Sequence, residues 1–531
     1  MKQALFLVSA LAAGLALTSC DPANQDSSGV DTRQSIKGLA VDGRVANGMV
    51  WVDSIDNNEL DDVEPFARTD ADGYYSFNPI TGVQYCELPT SSVEYEKHCL
   101  VYGSTNDSMT VRIEGGIDLS TGEALKGAMA MKTTITESAA ETEILQVLSP
   151  LTTLLSSITD EVQKQSIKDA LGITSDDDLR LDFSDASDAK TKRLLANAVA
   201  VQTMMDILTS SANTGDAESV TQKDIIQKIA DSIIETGTEP TLFNETTLTN
   251  LVKGVSSDTT QQSIVSSRLA SLNVEINKIA TADSAEAVKR QIKASEVLSQ
   301  LVKEEASGAD ALNKAAAKKI LDSAGGIGSL STDLITALSD TAVEFDIATI
   351  TTSLVKAGKE TTPFVTSAIG DAVTESKLST STVWGGSWFV LRATAEDSED
   401  LAIGSYIAVR LEGTSEASGG ALSVCVNGSV RDSVDPEDTF ENEYITGTWG
   451  KLSAGLVALN LDYEGQEFEG KMKAKLVVGT QAQKFRFTTE IDGIGEAGDL
   501  VSDANGKSAL AGVLQPGSVL DCAENVNSQL Q

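Results

Sequence analysis

The stretch VWVDSIDNNELDDVEPFARTDADGYYSF, residues 50–77, contains the signals on which the first part of the fold depends. Its first residues are apolar and strand-like, and its end, TDADGYYSF, places an Asp-Gly turn before a second strand. Between them, DSIDNNELDDVEP (residues 53–65) carries six carboxylates in thirteen residues. Like charges at this density repel one another, so this segment is either a solvated loop or a loop that binds a cation.

Calcium is the cation that such a loop could bind. It takes about six to eight oxygen ligands, and a loop of about twelve residues can supply them at alternating positions and at its last position. In a count that starts at Asp53, Ile55 falls on a ligand position but has no ligand atom, and Asn58 replaces the usual glycine. We expect a structural rather than a catalytic ion. The predicted ligands are Asp53, Asn57, the carbonyl of Glu59, Asp61 and Glu64.

Short strands and turns run from Ile36 to Thr133 and predict a small β-sandwich over residues 36–133. Within residues 36–80, a recurring pattern is formed by Trp51, Asp53, Asn57, Leu60, Asp61, Glu64, Pro65, Thr69, Asp70, Gly73, Tyr75 and Phe77. On these residues the segment resembles the B-type repeat domains of Gram-positive surface adhesins, and it is similar to carboxypeptidase-regulatory-like domains of bacterial surface proteins. The resemblance implies a prealbumin-like β-sandwich whose acidic loop binds calcium for rigidity.

The first twenty residues, MKQALFLVSALAAGLALTSC, combine a positive start with an apolar run that is too short to span a bilayer. Their end, Leu17-Thr18-Ser19-Cys20, resembles the lipobox of bacterial lipoproteins. The resemblance implies a signal peptide over residues 1–19, a lipidated Cys20 and a membrane tether over residues 20–35. An ordinary signal peptide with a chance cysteine is the alternative. We expect the outer membrane or the cell surface, while Asp21 leaves the periplasmic face of the inner membrane open.

The cysteines indicate an oxidising compartment. The chain has five, and four remain when the lipid-bearing Cys20 is set aside. They form one set near each end of the chain, so we expect the disulfides Cys86–Cys99 and Cys425–Cys522. Four cysteines allow three pairings, and the sequence alone does not exclude the other two. Four free thiols would be unusual outside the cytosol.

A helical period replaces the strand pattern over residues 134–380. Ser149 is placed as an N-cap before Pro150, and apolar residues then recur at helical spacing. The pattern predicts an α-helical bundle with these stripes in its core, and a partner-binding coiled coil is the alternative. The clearest stripes are Leu194, Val201, Met205 and Leu208, and Val265, Leu269, Leu272, Ile276 and Ile279.

Two further segments accompany the helical pattern. GGIDLSTGEA, residues 115–124, followed by LSPLTTLL, residues 148–155, resembles a recurrent region of large exported proteins of Gram-negative bacteria, for which no activity is established. A second acidic run, SDDDLRLDFSDASD, covers residues 175–188. Its spacing fits no metal-binding motif, so we expect a solvated linker.

Strand character returns over residues 381–531. In EFEGKMKAKLVVG, residues 467–479, charged and apolar side chains alternate, as in an antiparallel sheet with one wet face. We expect a β-sandwich or a barrel, and GTWGKL, residues 447–452, resembles the short Gly-x-Trp signature of lipocalin-type barrels. The possible ligand contacts are Trp384, Trp388 and Trp449.

The sequence as a whole predicts a multidomain α+β protein that binds rather than catalyses. The 78 acidic and 40 basic side chains give a net charge of −38, which disfavours nucleic acid as a partner. The only histidine, His98, is expected in a surface loop, so we do not expect an enzyme. We expect a binding, adhesion or structural role with an envelope protein or a glycan as partner. The alternative is a carrier that holds a small apolar ligand or lipid in the C-terminal β domain.

Overall fold

A computed structural model shows that the chain is a mixed α+β protein, which confirms the predicted class. The predicted signal peptide, Cys20 and Cys522 lie outside the described residues. The structure describes residues 34–61, 63–103, 108–125, 127–134, 146–212, 221–236, 243, 245–255, 259–307, 310–340, 343–360, 366–378, 384–385, 387–392, 406–414, 419–427, 443–453, 455–463, 466–476, 485–491 and 513–514.

Contacts divide the chain into two compact units, with Thr32–Ser376 in one and the described residues that follow Ser376 in the other. The predicted boundary between residues 133 and 134 falls inside the first unit. The predicted boundary between residues 380 and 381 lies close to the observed division.

The first unit begins with short strands and one short helix, α1 (Val93–His98). The strands form a four-stranded sheet of order β12-β10-β4-β5, a three-stranded sheet of order β13-β2-β6 and three two-stranded pairs, β1-β9, β11-β3 and β7-β8. They are β1 (Gln34–Ser35), β2 (Gly38–Ala40), β3 (Val45–Ala46), β4 (Met49–Asp53), β5 (Phe66–Arg68), β6 (Tyr74–Tyr75), β7 (Phe77–Asn78), β8 (Val83–Gln84), β9 (Val101–Tyr102), β10 (Ser108–Glu114), β11 (Ile117–Asp118), β12 (Met129–Thr134) and β13 (Gln146–Leu148).

Strand β4 leads directly into the acidic loop, which we define as residues 53–64. It pairs with β10 on one side and with β5 on the other, so it is a central strand of its sheet. Val50, Trp51 and Val52 are all buried, because both faces of the strand are covered. A strand covered on both faces reads as a continuous apolar run rather than as an alternation, which is the pattern in the sequence.

The remaining helices of the first unit follow the predicted apolar stripes, and all nine stripe residues are buried. Ser149 is the N-cap of the first of them, because its hydroxyl accepts a hydrogen bond from Thr152 N at 3.2 Å and Pro150 follows at the first helical position. The helices are α2 (Pro150–Ser156), α3 (Glu161–Leu171), α4 (Ala189–Ala212), α5 (Gln222–Thr236), α6 (Glu245–Val255), α7 (Thr259–Asn277), α8 (Ala285–Ser307), α9 (Ala311–Asp322), α10 (Ile327–Ala337), α11 (Ile347–Lys359) and α12 (Thr366–Ser376).

The strands and the helices of the first unit share a hydrophobic core. Leu39 and Val41 from the region of β2, together with Tyr74 from β6, belong to the same buried cluster as Leu151 and Leu154 of α2. Strand β13, which comes just before α2, pairs in parallel with β2. Because their apolar side chains are buried together, the β segment and the helical segment form one compact unit rather than two.

The second unit is built on one antiparallel sheet. Its eight strands have the order β20-β19-β18-β17-β16-β15-β14-β21, so neighbours in sequence are neighbours in the sheet from β14 to β20. The strands are β14 (Ser387–Arg392), β15 (Tyr406–Leu411), β16 (Gly419–Asn427), β17 (Glu443–Ser453), β18 (Leu456–Tyr463), β19 (Gln466–Leu476), β20 (Phe485–Ile491) and β21 (Val513–Leu514).

The described strands of this sheet do not form the closed barrel that was one of the two predicted forms. Closure requires the first and last strands of a sheet to pair with each other. Here β20 pairs only with β19, and β21 pairs only with β14, among the strands that the structure describes. The period-two alternation in the sequence therefore identified an antiparallel sheet correctly, but alternation alone does not encode closure.

Candidate functional site

The acidic loop is closed by its own carboxylates. Asp53, at the end of β4, accepts hydrogen bonds from Asn57 N and Asn58 N, each at 3.1 Å. Its Oδ2 also lies 2.5 Å from the Arg112 guanidinium of β10, and the Asp53 side chain is fully buried. Asn58 adopts a φ of 67°, which asparagine tolerates better than most residues. The carboxylate therefore fixes the first turn of the loop and receives its compensating charge from arginine.

Glu64, at the other end of the loop, also accepts hydrogen bonds from backbone N–H groups of the loop. Its Oε1 accepts hydrogen bonds from Ser54 N at 2.6 Å and Ile55 N at 3.2 Å, and its Oε2 accepts one from Asp61 N at 3.3 Å. Only 4% of Glu64 is exposed. A buried carboxylate that accepts backbone N–H groups joins the beginning of the loop to its end.

The other predicted calcium ligands form hydrogen bonds with one another. Asn57 Nδ2 donates to Asp61 Oδ2 at 2.7 Å, and Asn57 Oδ1 accepts from Glu59 N at 3.0 Å. Among the residues that the structure describes, no three or more Asp, Glu, His or Cys side chains are grouped so that they could hold a metal ion. In this arrangement Asp53 and Glu64 bind protein donors, and calcium binding by the predicted ligand set stays a prediction.

The predicted disulfide Cys86–Cys99 is present, with a Cα–Cα distance of 4.9 Å. It joins the short 3-10 turn Tyr85–Glu87 to the residue after α1. Cys425 in β16 is also disulfide-bonded. Its predicted partner, Cys522, lies outside the described residues, so this pairing stays a prediction.

His98 does not lie in an exposed surface loop, as the sequence suggested, because its side chain is only 12% exposed. It ends α1, its Nδ1 lies 2.8 Å from Arg68 O, and its ring packs 4.8 Å from the Tyr85 ring. Burial lowers the pKa of His98. The Cys86–Cys99 disulfide joins the end of α1 to the turn that carries Tyr85, and the Tyr85 ring covers the imidazole.

Asp70 is the centre of a buried hydrogen-bond cluster that the sequence did not reveal. Its Oδ1 accepts from Asp72 N and Tyr74 N, each at 2.9 Å. Its Oδ2 accepts from Asn78 Nδ2 and from the Tyr85 hydroxyl, each at 2.7 Å. The bond to Asp72 N is an Asx turn, which the Thr-Asp-x-x-Gly spacing could have predicted. The contacts with Asn78 and Tyr85 depend on the fold.

The segment GGIDLSTGEA lies where the strands of the first unit meet its helices. Asp118 in β11 is buried, and its carboxylate accepts from Ser120 N, Ser120 Oγ and Thr121 Oγ1, each at 2.8 Å. Glu123 Oε1 accepts a hydrogen bond from Ala348 N in the first turn of α11 at 3.3 Å. The segment therefore connects the strands of the first unit to helix α11.

The second acidic run is solvated only in part, because Asp178 and Asp182 are covered while Asp177 and Asp185 are exposed. The Arg44 guanidinium lies 2.7 Å from Asp182 and 3.2 Å from Asp185. Asp182 also accepts from the Tyr74 hydroxyl at 3.3 Å, and Asp178 is 4% exposed and paired with Lys190. The bases that compensate Asp182 and Asp178 are remote in sequence or lie in the next helix, which the spacing of the acids could not show.

The structure describes the side chains of two of the three tryptophans that were predicted to contact a ligand, and both are buried. Trp384 is 1% exposed and Trp449 is 4% exposed, and Trp449 Nε1 donates to Glu412 O at 3.0 Å. Neither of these two rings offers a free face for stacking on a sugar. Trp388 lies in β14, and its side chain lies outside the described residues.

Comparison with protein-family models, with curated proteins and with solved structures finds no match to this chain. In the described part of the chain, no helix has both the length and the apolar content that crossing a membrane requires.

Proposed function

We propose that this chain is a lipid-anchored, exported protein of the bacterial cell envelope with a binding, adhesion or structural role. The observation that carries the proposal is the Cys86–Cys99 disulfide. Structural disulfides persist in oxidising compartments and are rare in the cytosol. The bond supports the exported address that the lipobox-like sequence before Cys20 predicts.

The proposed partners are the membrane, through the lipid on Cys20, and an envelope protein or a glycan. The outer membrane or the cell surface is the proposed location, with the periplasmic face of the inner membrane as the alternative. The prealbumin-like form of the first β segment is also a proposal. Its support is the sequence resemblance, together with the close packing of a four-stranded and a three-stranded sheet around a shared apolar cluster.

We do not propose catalysis. The Asp70–Tyr85 cluster joins a carboxylate to a phenol, but both oxygens of Asp70 already accept hydrogen bonds from the protein. Burial and the nearby Asp70 carboxylate raise the pKa of Tyr85, so its hydroxyl stays protonated and continues to donate. The cluster thus acts as a structural network.

Metabolic labelling tests the proposed lipid anchor and the envelope location. The full chain and a Cys20→Ala variant would be expressed in a Gram-negative host that is fed an alkynyl fatty acid, and the envelope fractions would be analysed. We expect the label on the wild-type chain and its loss from the variant, and we expect peptide mapping without reductant to find Cys86 joined to Cys99. An unlabelled wild-type chain with reduced cysteines in the cytosol would overturn the proposal.

Calcium binding by the acidic loop stays a prediction, and titration calorimetry on the full chain tests it. Glu64 is a poor target because it also closes the loop, so the informative variant is Asp61→Asn. The matched control is Asp371→Asn, which neutralises an exposed carboxylate on α12. Saturable heat that is lost only in the loop variant would support calcium binding. Equal heat in both variants, or no heat in the wild type, would remove calcium from the proposal.

A further inference from the structure

Exposed apolar side chains are concentrated around the acidic loop. In the described part of the chain, ten large apolar side chains are exposed, and four of these lie within residues 55–66. Single exposed apolar residues are ordinary on protein surfaces, whereas contiguous apolar patches mark interaction sites, and these four residues lie within one twelve-residue stretch of the chain. The four, which we call the docking face, are Ile55 at 55%, Leu60 at 39%, Val63 at 80% and Phe66 at 52% exposure.

The docking face is held by an ordered loop rather than by a loose one. Asp53 and Glu64 fix the two ends of the loop through hydrogen bonds to backbone N–H groups. Phe66 begins β5, which is an edge strand that pairs only with β4 in its sheet, among the described strands. A backbone that is already ordered loses little conformational entropy when a partner covers it.

The docking face lies in an acidic stretch of the chain. Residues 53–66 contain six carboxylates and no Lys, Arg or His. Asp53 and Glu64 are buried, but Asp56 and Glu59 are exposed and Asp61 is partly exposed, between Ile55 and Val63 in the chain. A partner that covers the apolar side chains must therefore bring positive charge to the same surface.

We propose that the docking face binds a basic, partly apolar segment of another protein. This inference deepens the proposed binding role and rests on it, but it does not depend on the lipid anchor. A second copy of the chain is a poor occupant, because a two-fold interface would set two identical sets of carboxylates against each other. A partner with interleaved Lys or Arg and aliphatic side chains matches both the charge and the apolar groups.

A labelled peptide of alternating Lys and Leu is the probe, and fluorescence anisotropy with the purified full chain at physiological ionic strength is the measurement. Two peptides isolate the contributions. One alternates Lys and Ser and has the same charge without apolar groups, and the other alternates Glu and Leu and has the opposite charge. We expect the Lys-Leu peptide to bind at least about tenfold more tightly than either, which corresponds to about 1.4 kcal/mol.

Paired variants locate the binding. Val63→Ser with Phe66→Ser removes exposed apolar groups from the docking face, and Val162→Ser with Leu312→Ser removes two from α3 and the start of α9, where they are 76% and 69% exposed. We expect the affinity for the Lys-Leu peptide to fall by about tenfold or more in the first pair only, since a few side chains at the centre of an interface dominate its binding energy. Unchanged thermal unfolding would show that both pairs fold.

A charge pair completes the design. Asp56→Asn with Glu59→Gln removes two loop charges, and Glu286→Gln with Asp371→Asn removes two exposed charges from helices. Weaker binding in the loop pair alone supports the proposal. Equal losses in both pairs, or equal binding of the Lys-Ser peptide, would mean that general charge attraction explains the binding and would overturn it. Loop-dependent binding of zwitterionic phosphatidylcholine vesicles, without binding of the Lys-Leu peptide, would assign the surface to a membrane and would also overturn it.

Discussion

Asp118 has a pKa of about 6, raised from 3.8 first by burial and also by the negative charge of Glu296 on α8. The hydrogen bonds from Ser120 and Thr121 favour the ionised form and oppose part of this shift. Because the folded state holds the proton more tightly than the unfolded state does, folding is favoured at low pH. This contribution is complete below about pH 4 and is lost as the pH rises through about 6.

We therefore predict that Asp118→Asn removes a pH-dependent part of the free energy of unfolding. The substitution changes the free energy of unfolding, and this change should be more favourable at neutral pH than at about pH 4 by up to about 3 kcal/mol. Asparagine keeps an oxygen that can accept from Ser120 N and adds an amide that can donate to a hydroxyl. Urea denaturation of both proteins from pH 4 to pH 7 measures the difference, with Asp340→Asn, an exposed carboxylate, as control. A difference that does not change with pH would contradict the prediction.

Tyr85 and Asp70 provide a second test at the residue scale. Tyr85→Phe removes the 2.7 Å hydrogen bond to the buried Asp70 carboxylate and leaves the ring in place against His98. Hydrogen bonds to charged groups contribute about 1.5 to 3 kcal/mol, so we expect a loss of this size in the free energy of unfolding. Tyr95→Phe, on the partly exposed part of α1, should cost much less. Equal costs for the two substitutions would show that the Asp70 cluster adds no stability of its own.

At the scale of elements, the turn before β11 depends on Gly116. Its φ is +83°, and a Cβ atom there would lie 2.6 Å from Gly48 N and 2.7 Å from Ala46 O. Gly82 has a similar φ of +75° but no atom within 4 Å of the same position. Both alanine variants adopt a disfavoured conformation, and only Gly116→Ala also meets backbone atoms.

We predict that Gly116→Ala costs about 1 to 3 kcal/mol more than Gly82→Ala in the free energy of unfolding, because the clash adds to a conformational cost that both share. Chemical denaturation of the two variants beside the wild type gives the comparison. If the two costs are equal, the close approach of GGIDLSTGEA to the β3–β4 turn is not a constraint on the fold.

The elements themselves were largely predictable, because their signals are local. Helical spacing identified the stripes that contain core positions such as Val201 and Leu269, and Ser149 before Pro150 marked the start of α2. The contacts between elements were not predictable. Asp182 meets Arg44 across 138 residues, and Glu123 meets Ala348 across 225, distances in sequence over which periodicity carries no information.

The acidic loop shows the same limit at a smaller scale. Spacing alone placed Asp53 and Glu64 among calcium ligands, since both residue types bind calcium. The same two carboxylates can instead accept backbone N–H groups and an arginine, and this is what the structure shows. The arginine that pairs with Asp53 is Arg112, which comes from a strand 59 residues away in the chain, so the spacing of the acids could not predict this contact.

At the scale of the whole molecule, the shared core of the first unit has a consequence for fragments. A fragment of residues 36–133 would lack β13, the parallel partner of β2, and would expose Leu39, Val41 and Tyr74, which belong to the core of the helices. Apolar side chains that lose their cover destabilise a fold by about 1.5 to 3 kcal/mol each. We therefore predict that this fragment does not fold alone.

Residues 32–376 should, in contrast, unfold in one cooperative transition, because the strands and the helices of this unit are buried against each other. Circular dichroism reports mainly on the helices, while the fluorescence of Trp51, the only tryptophan in this range of the sequence, reports on β4. The two probes should give the same urea midpoint. Separate midpoints, or a cooperative transition in the fragment 36–133, would show that the β segment is an independent domain that merely packs beside the helices.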